Sequence, residues 1–163
     1  MTRPFQELTH LSWAGVESPF GTFGVGGRRD AVTAVLLPNE VTTSLPHQTD
    51  CGVVSEAAAQ LADYLAGKRK EFSVPLSASG PPFQLSVWET LDHLKYGEIL
   101  TYGALAAELG RPRATRAVGT ALGRNPLPIL RPCHRVLAAH GLGGYAGGLE
   151  LKRQLLRLEG IQF

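Results

Sequence analysis

The stretch that most constrains this chain runs from Asn125 to Val136 and reads N-P-L-P-I-L-R-P-C-H-R-V. Pro126, Pro128 and Pro132 each fix their own φ and bias the preceding residue away from helix, so neither a helix nor a central strand can pass through. What remains is a rigid, extended path that delivers Cys133 in a fixed pose, followed at once by His134. Neighbours in a strand or helix point apart, so these two can cooperate only from a turn, through a water. An imidazole that takes the thiol proton leaves a thiolate, the reactive form of cysteine. A Cys-His dipeptide by itself is a weak signal. Cys51, with no His or basic neighbour nearby, reads as a small apolar filler.

The length of 163 residues suits one ordinary domain or two small ones. Hydrophobic residues at 44% and charged residues at 18% argue against disorder, which needs the opposite balance. Two cysteines cannot build a disulfide framework. No apolar run approaches the ~18–20 residues that span a bilayer, and the opening M-T-R-P-F-Q-E-L lacks the apolar core of a leader peptide. The expectation is a soluble, cytoplasmic protein with free thiols.

The net charge of +2 conceals a division. Residues 1–80 carry six Lys/Arg against eight Asp/Glu, and residues 81–163 carry ten against six. Six arginines (Arg111, Arg113, Arg116, Arg124, Arg131, Arg135) fall in one stretch with no acidic residue and no lysine. Arginine alone suits bidentate contact with phosphate; a solvated basic face is the plainer alternative.

Residues 20–27 (F-G-T-F-G-V-G-G) read as a strand running into a turn, with A-V-T-A-V-L-L at 31–37 as the returning strand. Residues 38–54 read as loop. Ser55 is expected to cap a helix through Ala66, closed by Gly67. An extended segment from Lys68 leads to Ser79-Gly80-Pro81-Pro82, the best boundary in the chain. The expected division is an α/β domain at 1–79 and a mostly helical domain at 80–163.

In the second domain, Phe83, Val87, Leu91 and Leu94 recur at helical spacing after Pro82, up to Tyr96-Gly97. Thr101 can cap a helix over Tyr102–Leu109, closed by Gly110. A third helix over Ala114–Leu122 completes a helix-turn-helix pattern. Its face is almost all small residues with one long cation, Arg116, which suits a helix laid on nucleic acid. A last helix over Leu149–Glu159 sets Leu151, Leu155 and Leu158 on one face. Between Cys133 and that helix, G-L-G-G-Y-A-G-G at 141–148 has the bare backbone of a binding loop. It lacks the Lys-Ser/Thr of a phosphate cradle.

P-C-H-R-V at 132–136, with R-A-V-G at 116–119 and N-P-x-P at 125–128, closely resembles the O6-alkylguanine-DNA alkyltransferases, also called methylated-DNA–protein-cysteine methyltransferases. F-Q-L-S-V-W at 83–88, Y-G-E at 96–98, T-Y-G-A-L-A at 101–106, G-Y-A-G-G at 144–148 and Leu155–Glu159 match in order. The resemblance is strong over residues 80–160; the first 79 agree in size and general character.

The resemblance implies an α+β fold, with a small sheet and one helix followed by a winged helix-turn-helix-like domain. It implies a protein that enters the minor groove of double-stranded DNA and flips out O6-alkylguanine, mainly O6-methylguanine, with O4-methylthymine as a further substrate. The alkyl group passes irreversibly to Cys133, with no metal or other cofactor. His134 would act as base through a water, oriented by Glu159. Tyr102 would help rotate the base and donate a hydrogen bond to it, and Asn125 would hold the active-site turn. Arg116 would fill the vacated stack, beside DNA contacts from Thr115, Ala117, Gly119 and Arg124. Pro128, Val136, Tyr145, Ala146 and Gly147 would wall the base pocket, with the Cys133 and Val136 carbonyls accepting from the guanine amino group. A monomer is implied, with cooperative binding along DNA left open.

Three departures accompany this. Arg131 stands where an apolar residue is usual, either to reach phosphate or to perturb the strand. The loop between Val136 and Tyr145 is one residue short. A zinc site cannot be assembled from Cys51, His10 and His47. Rival readings are a lesion sensor of the same fold, a DNA-binding regulator and a cysteine hydrolase; the presence of Cys133, the small-residue helix and single turnover, respectively, separate them.

Overall fold

The computed structural model describes residues 8–41, 44–45 and 52–163. The chain divides into two units, residues 1–78 and residues 79–163.

In the first unit, β1 (Ser12–Ser18), β2 (Gly21–Gly27) and β3 (Val32–Leu36) form an antiparallel meander in sequence order. The glycines of β2 make room for one large ring. Gly26 pairs with Trp13, and a Cβ there would lie 2.7 Å from the indole. Trp13 is thereby buried across the strand, its Nε1–H donating to the Leu8 carbonyl at 2.9 Å. β2 and β3 are the two expected strands. β1 escaped notice because Trp13 and Val16 are its only buried side chains, three residues apart rather than alternating.

Helix α1 (Gly52–Leu65) packs on the sheet through Val54, Ala57, Leu61, Tyr64 and Leu65. It begins three residues before Ser55, which therefore lies inside the helix and is not its cap, and it overlaps the end of the expected loop. The extended segment beyond it runs beside β3: the Val32 N–H donates to Pro75 and the Ser77 N–H to Val32, both at 2.9 Å. Cys51 and His47 lie outside the described residues.

The second unit opens with α2 (Pro82–Leu91), which has Pro82 in its first turn. It stops at Leu91, short of the expected Tyr96-Gly97, with Asp92 as its C-terminal cap. The short strand β4 (Leu100–Thr101) leads into α3 (Tyr102–Glu108), capped where Thr101 Oγ1 accepts from the Ala104 N–H at 3.1 Å. Gly110, at φ 70°, turns the chain toward α4 (Thr115–Gly123). Both α2 and α3 pack on α4, and Trp88 Nε1–H donates to the Ala121 carbonyl at 2.7 Å.

A 3-10 turn (Cys133–Arg135) runs into β5 (Val136–Leu137), which lies parallel to β4 with Leu100 opposite Val136. This pairing brings the start of α3 beside the residues after Cys133. Helix α5 (Leu149–Leu158) closes the unit. Its buried face is Leu151, Lys152, Leu155 and Leu156, not the expected Leu158. The architecture is α+β, a small sheet unit followed by a mostly helical one.

Candidate active site

The Asn125–Val136 path is knotted tightly by its own polar groups. Asn125 is buried; its Nδ2 donates to the Arg131 carbonyl at 2.9 Å and its Oδ1 accepts from the Leu127 N–H at 3.0 Å. The same Arg131 carbonyl accepts from the Cys133 N–H at 2.8 Å, while the Arg131 N–H donates to Leu127 at 2.8 Å. Inside this knot, buried Ile129 holds φ at 71°, a left-handed conformation that costs a β-branched residue about 1–3 kcal/mol.

Cys133 and His134 share the 3-10 turn, the arrangement that adjacent residues need if they are to cooperate. His134 is fully buried, and its Nε2 lies 2.9 Å from Glu159 Oε1. Glu159 caps the C-terminus of α5, where a carboxylate opposes the helix dipole. Arg135 offsets that cost: its Nε lies 2.9 Å from Glu159 Oε2 and its Nη2 2.8 Å from Oε1. The Gly97 N–H adds a third donor at 3.2 Å.

Burial pulls the His134 pKa down, against the opposing hydrogen bond and charge of Glu159. Burial likewise pushes the Cys133 thiol up. A hydrogen bond from the Asn125 side chain, the Lys152 charge and the backbone N–H groups of Cys133 and His134 act the other way. The resting pair is a thiol beside a neutral imidazole. Glu159 thus holds His134 Nε2 from outside the same turn that carries the Cys133 thiol.

Cys133 opens onto a cavity of about 160 Å³ lined with Tyr102, Gly119, Leu122, Gly123, Gly144, Tyr145 and Ala146. Tyr145 and Ala146 line this cavity together with Cys133. Pro128, Val136 and Gly147 are not among the lining residues. Pro128 is buried in the knotted turn, while Val136 is paired in the β4–β5 ribbon and its carbonyl accepts from Lys152 Nζ at 2.7 Å. Gly119, read as a DNA contact, lines the cavity with Leu122 and Gly123.

Tyr102, at the start of α3, reaches the glycine loop. Its hydroxyl accepts from the Gly144 N–H at 3.1 Å and donates to the Gly144 carbonyl at 3.3 Å. Gly143 is obligatory here: its φ is 72°, and a Cβ would lie 2.5 Å from the Tyr102 hydroxyl.

Lys152 is the functional residue that sequence reading missed. It is fully buried, and its ammonium donates to the carbonyls of Val136, Leu142 and Gly144, anchoring the loop. Burial lowers its pKa to about 8. The available signal was its position, three and four residues before Leu155 and Leu156 and so within the apolar stripe of α5.

The arginine run divides in two. Arg111, Arg113, Arg116 and Arg124 are exposed, as are Thr115 and Ala117, and Arg111 lies 5.5 Å from the Phe83 ring centre. Arg131 and Arg135 are buried against carboxylates. Arg131 neither reaches for phosphate nor disturbs a strand, because it pairs with Asp92 at 3.1 Å. His10 lies 3.3 Å from Arg28, and among the described residues no cluster of three or more His, Cys, Asp or Glu could hold a metal.

A buried Cys-His-Glu constellation opening on a small cavity, in a unit whose helix-turn-helix exposes several arginines, suits thiolate chemistry beside a surface fit for nucleic acid. Comparison with known proteins gives the family. The chain belongs to the 6-O-methylguanine DNA methyltransferases, with residues 82–161 matching the family's DNA-binding domain and residues 11–78 its ribonuclease-like domain.

It is 41% identical over 155 residues to the constitutive methylated-DNA–protein-cysteine methyltransferase of Bacillus subtilis, covering 90% of this chain and 94% of the relative. It is 44% identical over 152 residues to the methylated-DNA–protein-cysteine methyltransferase of Mycobacterium tuberculosis, covering 91% and 92%. Among solved structures it superposes on Mycobacterium tuberculosis OGT in complex with DNA with a TM-score of 0.82 at 40% identity, covering 91% of this chain and 93% of that one.

Proposed function

We propose that this chain repairs DNA by taking the alkyl group of O6-alkylguanine, chiefly O6-methylguanine, onto Cys133 in a single irreversible turnover. One observation carries the reading: Cys133 lines a cavity from the same turn that buries His134 at 2.9 Å from Glu159.

In the reaction, His134 draws the thiol proton through a water, and the thiolate attacks the saturated carbon on O6. A carbon–sulfur bond forms as the carbon–oxygen bond breaks, and guanine leaves as an anion that takes up a proton. Tyr102, the residue of α3 that lines the cavity, donates to the departing purine. Ala146 presents its amide toward O6, and Tyr145 walls the ring. The thioether is not hydrolysed, so one molecule mends one lesion.

DNA is the partner, and the exposed face of α4 is the surface that meets it. The finer reading is that α4 enters the minor groove of double-stranded DNA as a monomer in the cytoplasm. Thr115, Ala117 and Arg124 lie along the backbone, and Arg116 fills the stack left by the flipped base. Extrusion costs a few kcal/mol, which such filling offsets.

The test is the intact mass of the protein after mixing with a duplex carrying O6-methylguanine. A gain of one methylene, lost in Cys133→Ala and kept in Cys51→Ala, is expected. An unchanged mass overturns the proposal.

A further inference from the structure

Arg131 and Arg135 stand two residues to either side of Cys133, and both reach the same place. Arg131 grips Asp92 in a two-pronged contact, Nε to Oδ1 at 3.1 Å and Nη2 to Oδ2 at 3.2 Å. Arg135 Nη1 donates to the Leu94 carbonyl at 2.6 Å. The reactive turn is therefore clamped at both ends to the three-residue segment that follows α2.

Arg135 is also committed to Glu159, so its role is shared; that of Arg131 is not. Its main-chain carbonyl accepts from both Cys133 and Asn125, so any movement of residue 131 moves the thiol and the amide that bonds it. The rest of the Asn125–Arg131 turn is tied by its own hydrogen bonds and by burial of Leu127, Ile129 and Leu130. Ile129 within it is held against its backbone preference. Asp92, for its part, sits at the C-terminal cap of α2, where a carboxylate is disfavoured by the helix dipole unless a cation answers it. Two residues in locally costly or unusual positions thus answer each other across 39 positions of sequence.

We propose that the Arg131–Asp92 ion pair is a positioning device for alkyl transfer, fixing the Cys133 turn to the end of α2; this rests on the acceptor function proposed above. The pair touches neither substrate nor thiol, so it acts through the Arg131 main chain.

The experiment follows alkylation of the full chain by free O6-benzylguanine, which needs no DNA contact. It reads the limiting rate and the half-saturating concentration separately, with the thermal midpoint of each variant alongside. Asp92→Asn, at a half-exposed and nearly isosteric position, and Arg131→Met should each lower the limiting rate about tenfold or more, since small misplacements of a reacting group are costly. The half-saturating concentration should stay within about twofold, the cavity wall being intact. The double variant should be no slower than the slower single one, and Arg131→Lys should recover part of the rate lost by Arg131→Met.

Wild-type rates in Asp92→Asn, losses that multiply in the double variant, or a lysine variant no better than methionine would overturn the positioning role. So would rate losses that merely track the unfolded fraction. Should Arg131→Met fail to fold, Asp92→Asn and Arg131→Lys decide the matter. Wild-type protein that takes up no methyl group from a duplex carrying O6-methylguanine would instead overturn the acceptor function.

Discussion

The ammonium of Lys152 lies 2.7 Å from the carbonyl of Val136 and 5.8 Å from the centre of the Tyr102 ring. Through one buried charge, α5 holds the strand after the reactive turn, the glycine loop and the tyrosine of α3 in register. The Lys152→Met variant should stay folded but lose the loop anchor. Leaving the Val136 and Leu142 carbonyls without this donor costs about 1–3 kcal/mol each at worst, while the Gly144 carbonyl keeps the Tyr102 hydroxyl. Alkylation by free O6-benzylguanine should slow by about tenfold or more, as expected for a misplaced reacting group. Hydrogen exchange at Leu142–Gly144 should quicken in step. Unchanged exchange with a slowed reaction would assign Lys152 a different part.

Glu159 is shared between His134 and Arg135, so replacing it disturbs chemistry and fold together. Glu159→Gln should abolish measurable transfer and destabilise the protein by about 3–5 kcal/mol, the usual consequence of leaving one buried charge without its partner. Urea denaturation gives the second figure. A loss under about 1 kcal/mol, the range of an exposed pair, would contradict the buried geometry.

His134 makes stability depend on pH in a defined sense. Burial lowers its folded-state pKa below the unfolded value of 6.5. As pH falls through 6.5 the unfolded chain therefore takes up a proton that the folded chain refuses, and stability declines until the lower, folded pKa is reached. The expected result is a falling urea midpoint between pH 7 and pH 5.5, less steep in His134→Gln. Equal slopes in the two proteins would place the proton elsewhere.

Arg116 is exposed on α4 and is not among the residues that line the cavity. Arg116→Ala should slow repair of O6-methylguanine in duplex DNA by about 10-fold or more, the scale set by the few kcal/mol of base extrusion. Reaction with free O6-benzylguanine should stay near the wild-type rate. Equal losses on both substrates would remove its role in the stack.

Much of the site was legible because it is encoded locally. Three prolines delivering a Cys-His pair, a Thr101 cap and a lone arginine among small residues are all short-range signals. What was not legible depends on the distance between partners in the chain. Nothing near Arg131 announces Asp92, 39 residues away, so a structural ion pair was read as a candidate for phosphate. Lys152 was missed because lysine is assumed to face water, though its place in the apolar stripe said otherwise. β1 was missed because a single tryptophan covering a glycine leaves no alternating pattern. The pairing of Val136 with Leu100, 36 residues away, has no local signal either.

Ile129 is buried at a backbone angle that glycine or asparagine would adopt in comfort. A spring held compressed needs both its ends pinned, and here the pins are Asn125 on one side and Arg131 on the other. Slackening either pin should therefore let the sulfur wander while the helices around it stay in place.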